Sequence, residues 1–240
     1  KGVTEEDLMR SVRDAFEAGW SSVKLYFIMG LPTERDEDID GISEMGSTVV
    51  REFYQTPNRV KGKHPLVTLS CACFIPKPQT PFQWEGQDTM ESLSEKQKFL
   101  MSKITDRKIR YNYHDARTSH LEAVFARGDR RLGDALELAQ REGMRFDAWE
   151  EFFDYDKWMD VIRRCGLDPD FYANRSIPDE EILPWEIIDC GVSKEFFLRE
   201  RAKAYEAATT PNCREKCSAC GANRLGGERT CCPKLNKTEN

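Results

Sequence analysis

Five of the nine cysteines, Cys213, Cys217, Cys220, Cys231 and Cys232, fall in the last 28 residues of the chain. Cys213-x3-Cys217-x2-Cys220 brings three thiols within reach of one soft metal ion, and Cys231 or Cys232 can add a fourth. Four thiolates suit a structural zinc or a [4Fe–4S] cluster, and the spacing does not choose between them. Gly221, Gly226 and Gly227 let the intervening loop wrap a metal, while Arg214, Lys216 and Arg224 offset the anionic sulfurs. The alternative is a tail of unligated thiols. In a chain of 240 residues with no secretory leader in view, clustered cysteines mean metal more often than disulfide.

A second set of residues sits at two turns. Lys24-Leu-Tyr-Phe-Ile-Met-Gly-Leu-Pro-Thr-Glu34 reads as a strand that stops at a Gly-Pro turn and leaves a carboxylate at its C-terminal edge. Parallel α/β proteins bind ligands at such edges. Val67 to Ile75, followed by Pro76-Lys-Pro-Gln-Thr-Pro-Phe82, repeats the design. Gly30 lets backbone approach a ligand closely, Pro32 stiffens the turn, and Glu34 is expected to anchor the loop by accepting backbone N–H bonds. Lys77 and Gln79 stand at the rim of the second turn, either solvated or facing a ligand. Phe82 and Trp84 are expected to pack that turn. Cys71 and Cys73 lie two apart, so they share one strand face, and they read as small core hydrophobes. His114, Asp115 and His120 read as structural. Arg127, Asp129, Arg130 and Arg131 read as an ion-pair elbow holding a helical region to the strands, with binding of an anionic substrate as the alternative.

The elements that must position these groups follow from pattern. Thr4-Glu-Glu-Asp7 starts a helix that Gly19 ends. A strand over about 22–29 is close to continuously apolar and is expected to be covered on both faces. Ile39, Ile42, Met45, Val49 and Phe53 carry a helix over about 36–54. A second strand spans about 66–75, then a proline-rich turn over 76–92. Ser94-Glu-Lys-Gln97 has capping-box spacing for a helix to about residue 108. Ile109–Tyr113 alternates as a short strand would. Helical segments follow at 118–127, 130–142 and 155–164, then a loop-rich stretch over 166–184 and a last helix opened by Ser193. Composition shifts near residues 115 and 209 divide the chain into 1–114, 115–208 and 209–240.

The net charge is −6, with 39% hydrophobic and 32% charged residues. The acidic balance gives no broad nucleic-acid face, although a local basic groove stays open. With no apolar run of the roughly 18 residues that a membrane span requires and no signal peptide, a cytoplasmic protein without membrane contact is expected. Lys at position 1 reads as a piece of a longer protein.

Taken in order, these phrases resemble the radical S-adenosylmethionine (SAM) superfamily. Ile28-Met-Gly-Leu-Pro-Thr-Glu34 resembles its fifth-strand motif and Phe74-Ile-Pro-Lys-Pro-Gln-Thr-Pro81 its sixth-strand ending. With Ser119-His-Leu-Glu-Ala-Val-Phe-Ala-Arg-Gly-Asp-Arg-Arg131 and Thr210-Pro-Asn-Cys-Arg214, the whole is similar to an uncharacterised cobalamin-binding-type family of that superfamily. The resemblance implies the C-terminal part of a partial (β/α)6 TIM-like barrel over 1–114, then a helical region and a cysteine-rich metal-binding tail. It implies Ile28, Met29, Gly30 and Glu34 on one side of a SAM adenine pocket, and Phe74, Ile75 and Pro76 on the other. It also implies that the catalytic [4Fe–4S] cluster is held by a missing N-terminal half, this chain's main partner, which could carry a cobalamin domain as well. The tail spacing matches the superfamily's cluster motif but follows a C-terminal helix and has Ala219 where an aromatic residue is usual. The segment Ala222–Thr230 sets the fourth cysteine further off than in the family. The expected function is thus a fragment of a radical SAM enzyme, inactive alone, with zinc or an auxiliary [4Fe–4S] cluster in its tail. The alternative is a zinc-binding interaction module that recruits RNA or a protein.

Overall fold

The computed structural model of the chain describes residues 3–213 and 215–225. Cys231 and Cys232 lie outside these described residues. Two compact units emerge. The first takes the described residues through Ile75 together with Gln87–Glu122; the second takes Pro76–Gly86 together with those from Ala123 on.

The first unit alternates helix and strand: α1 (Glu5–Glu17), β1 (Ser22–Met29), α2 (Asp36–Gln55), β2 (Leu66–Cys73), α3 (Met90–Lys103), β3 (Ile109–Tyr113) and the start of α4 (Ala116–Arg127). The strands form one parallel sheet in the order β1-β2-β3. Polar and acidic side chains mark the starts of α1 and α2. Thr4 and Asp7 form a reciprocal cap on α1, and Asp36, Glu37 and Asp38 load the first turn of α2 with negative charge, which its N-terminal dipole favours. At Gly46 α2 packs close against the sheet: a Cβ there would meet Leu69 and Ile109 at 3.2 and 3.3 Å.

One hydrophobic core joins Val12 and Phe16 of α1, Ile39, Val49 and Phe53 of α2 and Leu100 of α3 to Leu25, Met29, Val67, Leu69, Cys71 and Ile109 of the sheet. All three helices therefore cover the same sheet face. This corrects the expectation that β1 is covered on both sides. Alternate residues Ser22, Lys24, Tyr26 and Ile28 are exposed, Tyr26 at 75% and Ile28 at 53%. The physical reason is position: β1 pairs with β2 alone among the described strands, and the apolar character of Tyr26 and Ile28 meets no covering layer.

The second unit is helical, with α5 (Leu132–Arg141), α6 (Tyr155–Arg164), α7 (Pro169–Ala173) and α8 (Lys194–Tyr205) after the rest of α4. Trp84, Ile177, Leu183, Trp185 and Phe197 form a core, and the Ile177 N–H donates to the Trp84 carbonyl at 2.7 Å. Gly86 fits against this segment because a Cβ there would lie 2.1 Å from the Asn174 carbonyl oxygen.

Two boundaries differ from expectation. The third helix starts at Met90 rather than Ser94, because Thr89 accepts the Ser92 N–H and caps it. It stops at Lys103, and Asp106 then accepts the Lys108 N–H at 2.9 Å in a turn that enters β3. The stretch read as loop holds α7, where Asp168 is the N-cap and Pro169 opens the helix, a pairing that favours helix starts. The chain is a mixed α/β protein with a three-stranded parallel sheet. Among the described residues no helix is long and apolar enough to cross a membrane.

Candidate functional site

Parallel pairing in phase sets Met29 opposite Cys73, so the two turns leave the sheet together, and the Phe74 N–H donates to the Met29 carbonyl at 2.7 Å. Ile28 projects from the uncovered face, beside Ala72 across the strands. Met29 points the other way and is 1% exposed within the core; only its backbone reaches the strand end. Gly30 has φ +85°, a conformation that favours glycine, and its N–H donates to Glu34 Oε2 at 2.8 Å. Glu34 thus anchors its loop as the sequence predicts.

Sequence reading missed the partner of Glu34. Lys96 Nζ lies 3.0 Å from Glu34 and 2.6 Å from Asp88. Burial disfavours the Lys96 charge, but hydrogen bonds to Asp88 and Glu34 outweigh it and raise its pKa. The two residues are far apart in sequence, so no local pattern announces the contact. Phe74 and Ile75 are half-buried behind β2, while Pro76 is buried and belongs to the second unit. Beside β1, Phe27, Ile28, Leu31, Glu34, Ile42 and Met45 border a cleft of about 420 Å³.

Cys71 and Cys73 share the helix-covered face, as expected of core residues. Burial pushes the Cys71 thiol up to about 12 and raises that of Cys73. The His114 carbonyl accepts from Gln97 Nε2 at 2.8 Å, and Asp115 caps α4 by accepting the Arg117 N–H at 2.8 Å. His120 is buried.

The uncovered sheet face carries its own order. Lys24 stands opposite Thr68 and Thr68 opposite Arg110; the next outward row is Tyr26, Ser70 and Asn112; the last is Ile28 and Ala72.

In the second unit the described part of the tail is held by its backbone. Ser193 N–H donates to the Cys220 carbonyl at 2.9 Å, and Arg199 Nη2 to the Ser218 carbonyl at 2.8 Å. The Ala219 N–H points at Cys217 Sγ, 3.4 Å away, in a turn where Ala219 and Gly221 both have positive φ, +54° and +96°. Among the described residues, no group of three or more His, Cys, Asp or Glu is placed to hold a metal ion. A cavity of about 370 Å³ lies at the start of α8, bordered by Gln79, Gln83, Trp84, Trp185 and Ile188. Gln83 Oε1 accepts from the Gln79 N–H at 2.9 Å and from the Trp185 indole at 2.7 Å. Among the described residues the buried indole N–H of Trp84 has no hydrogen-bond partner.

The charged elbow is only partly an ion-pair network. Asp129 pairs with Arg131 at 2.7 Å. Arg127 instead is buried and donates to the carbonyls of Tyr172, Ala173 and Arg175 at 2.6, 2.6 and 2.7 Å. Burial pushes its pKa down to about 10.

No family model matches the chain, and no solved structure matches it. Over 167 residues, 70% of the chain, it is 28% identical to the uncharacterized protein MJ0966 of Methanocaldococcus jannaschii. That stretch is 35% of the relative, so the chain spans about a third of the length of the curated protein it matches.

Proposed function

We propose that this chain is the C-terminal half of a radical SAM enzyme, supplying strands five and six of a partial (β/α)6 barrel and part of the SAM pocket. One observation carries it: a parallel sheet whose covering helices, among the described residues, lie on one face, with β1 paired on one side alone among the described strands and two proline-bearing turns leaving the same end. A half-barrel has this form, because its uncovered face looks into the barrel interior and its free edge receives the preceding strand. The residues suit the adenine end of SAM. Ile28 offers an exposed apolar side chain at the strand end, and Gly30, locked by Glu34, offers bare backbone beside it. Phe74 and Ile75 continue the same edge from β2. Met29 contributes backbone alone.

A reduced [4Fe–4S] cluster held by the preceding half would supply the electron that cleaves SAM; this chain's residues bind and orient the nucleoside. In the longer protein, reconstituted without oxygen and reduced, SAM should yield methionine and, once the adenosyl fragment has taken a hydrogen atom from substrate or reductant, 5′-deoxyadenosine. The 240-residue chain alone should show no heat of SAM binding in calorimetry. Tight SAM binding by the chain alone would sink the proposal.

The tail supports a second reading, a zinc-binding module that recruits RNA or a protein, and what favours it is the Cys217–Gly221 turn with its N–H aimed at sulfur. Cys213, Cys217 and Cys220 with Cys231 or Cys232 would hold zinc or an auxiliary cluster. Metal analysis of aerobic and anaerobic preparations separates them: zinc at one per chain supports the module, and iron with sulfide supports a cluster.

A further inference from the structure

We propose that the uncovered sheet face binds an oxyanion, the phosphate or carboxylate of a small-molecule substrate, between Lys24 and Arg110. The inference rests on the half-barrel reading, which makes this face the lining of an enclosed space.

Register brings the two cations together. Lys24, Thr68 and Arg110 stand in one row across three strands, so one residue separates the cations. At about 4.8 Å per strand their backbones are roughly 10 Å apart, a span that two long side chains on the same face close around one anion. Both are exposed. The three strands contain no Asp or Glu, and among the described residues neither cation has a carboxylate partner. The chain has more acids than bases, 42 against 36, so two neighbouring cations without an acid are a local exception to its balance.

The surroundings point to a ligand rather than to a carboxylate from a neighbouring strand. Lys24 Nζ lies over the Tyr26 ring, 5.1 Å from its centre, and so runs along its own strand towards the turns. The adjacent row, Tyr26, Ser70 and Asn112, offers two hydroxyls and an amide, all able to donate to oxygen. Beyond it Ile28 and Ala72 are apolar. The face therefore grades from cations in the N-terminal half of the strands, through neutral donors, to apolar groups at their C-terminal ends. A molecule with an anionic head and a less polar reacting end fits that gradient in one orientation. Enclosing two cations without a counter-anion is costly, and an oxyanion between them removes that cost.

The test is titration of inorganic phosphate into the longer protein at low salt, followed by calorimetry, for wild type, Lys24→Gln, Arg110→Gln and Arg110→Lys. Wild type is expected to bind phosphate. Each glutamine variant should weaken binding about tenfold or more, the loss typical of a charge-assisted hydrogen bond, and Arg110→Lys should keep part of the affinity. No phosphate binding by folded wild type, or affinity unchanged in both glutamine variants, overturns the proposal. So does a thermal midpoint that drops in both variants while phosphate affinity stays put, which assigns the cations to ion pairs with the preceding half. SAM binding by wild type is measured alongside: its absence with phosphate binding intact would remove the enzyme reading and leave the anion site standing.

Discussion

Glu34 and Lys96 meet at 3.0 Å beneath the first turn, and through them the loop after β1 is tied to α3. The same carboxylate holds the Gly30 N–H, and the same ammonium holds Asp88 at 2.6 Å. Removing the ammonium strands two carboxylates, one of them nearly buried. Lys96→Met should therefore destabilise the protein by roughly 2–4 kcal/mol, approaching the cost of breaking a buried pair. Glu34→Gln keeps an acceptor for Gly30 and should cost less, about 1–2 kcal/mol. Urea unfolding of both single variants and the double variant checks this. Additive effects would show that the two residues do not act together.

Gly30 tests whether the turn is as constrained as its geometry says. Its φ of +85° is strained for any side chain, and an added Cβ would lie 2.8 Å from Leu93 Cδ2. Gly30→Ala should cost more than the roughly 1 kcal/mol of an ordinary glycine-to-alanine change at positive φ, because Leu93 is fully buried and has little room to yield. A thermal midpoint within a degree of wild type would contradict the constraint.

Much of this turn is legible in the sequence, and the reason is local. Strand, glycine, proline and acid follow one another within eleven residues, so Glu34 can be assigned to the loop N–H before any fold is known. Capping at Thr4 and the faces of Cys71 and Cys73 are legible for the same reason. Lys96 is not, because its two acids come from distant segments that only folding brings together. The single-sided cover of β1 is also hidden: Tyr26 and Ile28 look like core residues by type, and only the count of neighbouring elements shows that nothing described covers them. Arg127 is hidden as well: a charged cluster suggests ion pairs, whereas its partners are carbonyl oxygens, which have no signature in side-chain type.

Arg127 gives the sharpest test in the second unit. One planar guanidinium satisfies three carbonyls at the end of α7, a geometry that a single ammonium cannot copy. Arg127→Met should destabilise by roughly 3–5 kcal/mol, leaving buried acceptors without donors, and Arg127→Lys should recover less than half of that. Full recovery by lysine, read from denaturant midpoints, would show that charge alone matters there.

The buried thiols make stability fall in alkali. The Cys71 thiol is raised from 9.0 to about 12 by burial, with the neighbouring Cys73 adding to the shift. Below pH 9 the thiol is neutral in folded and unfolded chains alike, and the full stability is present. Above it the unfolded chain ionises first, binds fewer protons than the native state, and is favoured as pH rises, until the native thiol also ionises near 12. Cys71 should remove roughly 1 kcal/mol per pH unit in that window. Between pH 8 and pH 10, wild type should therefore lose about 1 kcal/mol more than Cys71→Val, which fills the same core space without a proton to release. Equal losses in urea titrations at the two pH values would show that Cys71 ionises as readily in the folded protein as in the unfolded one.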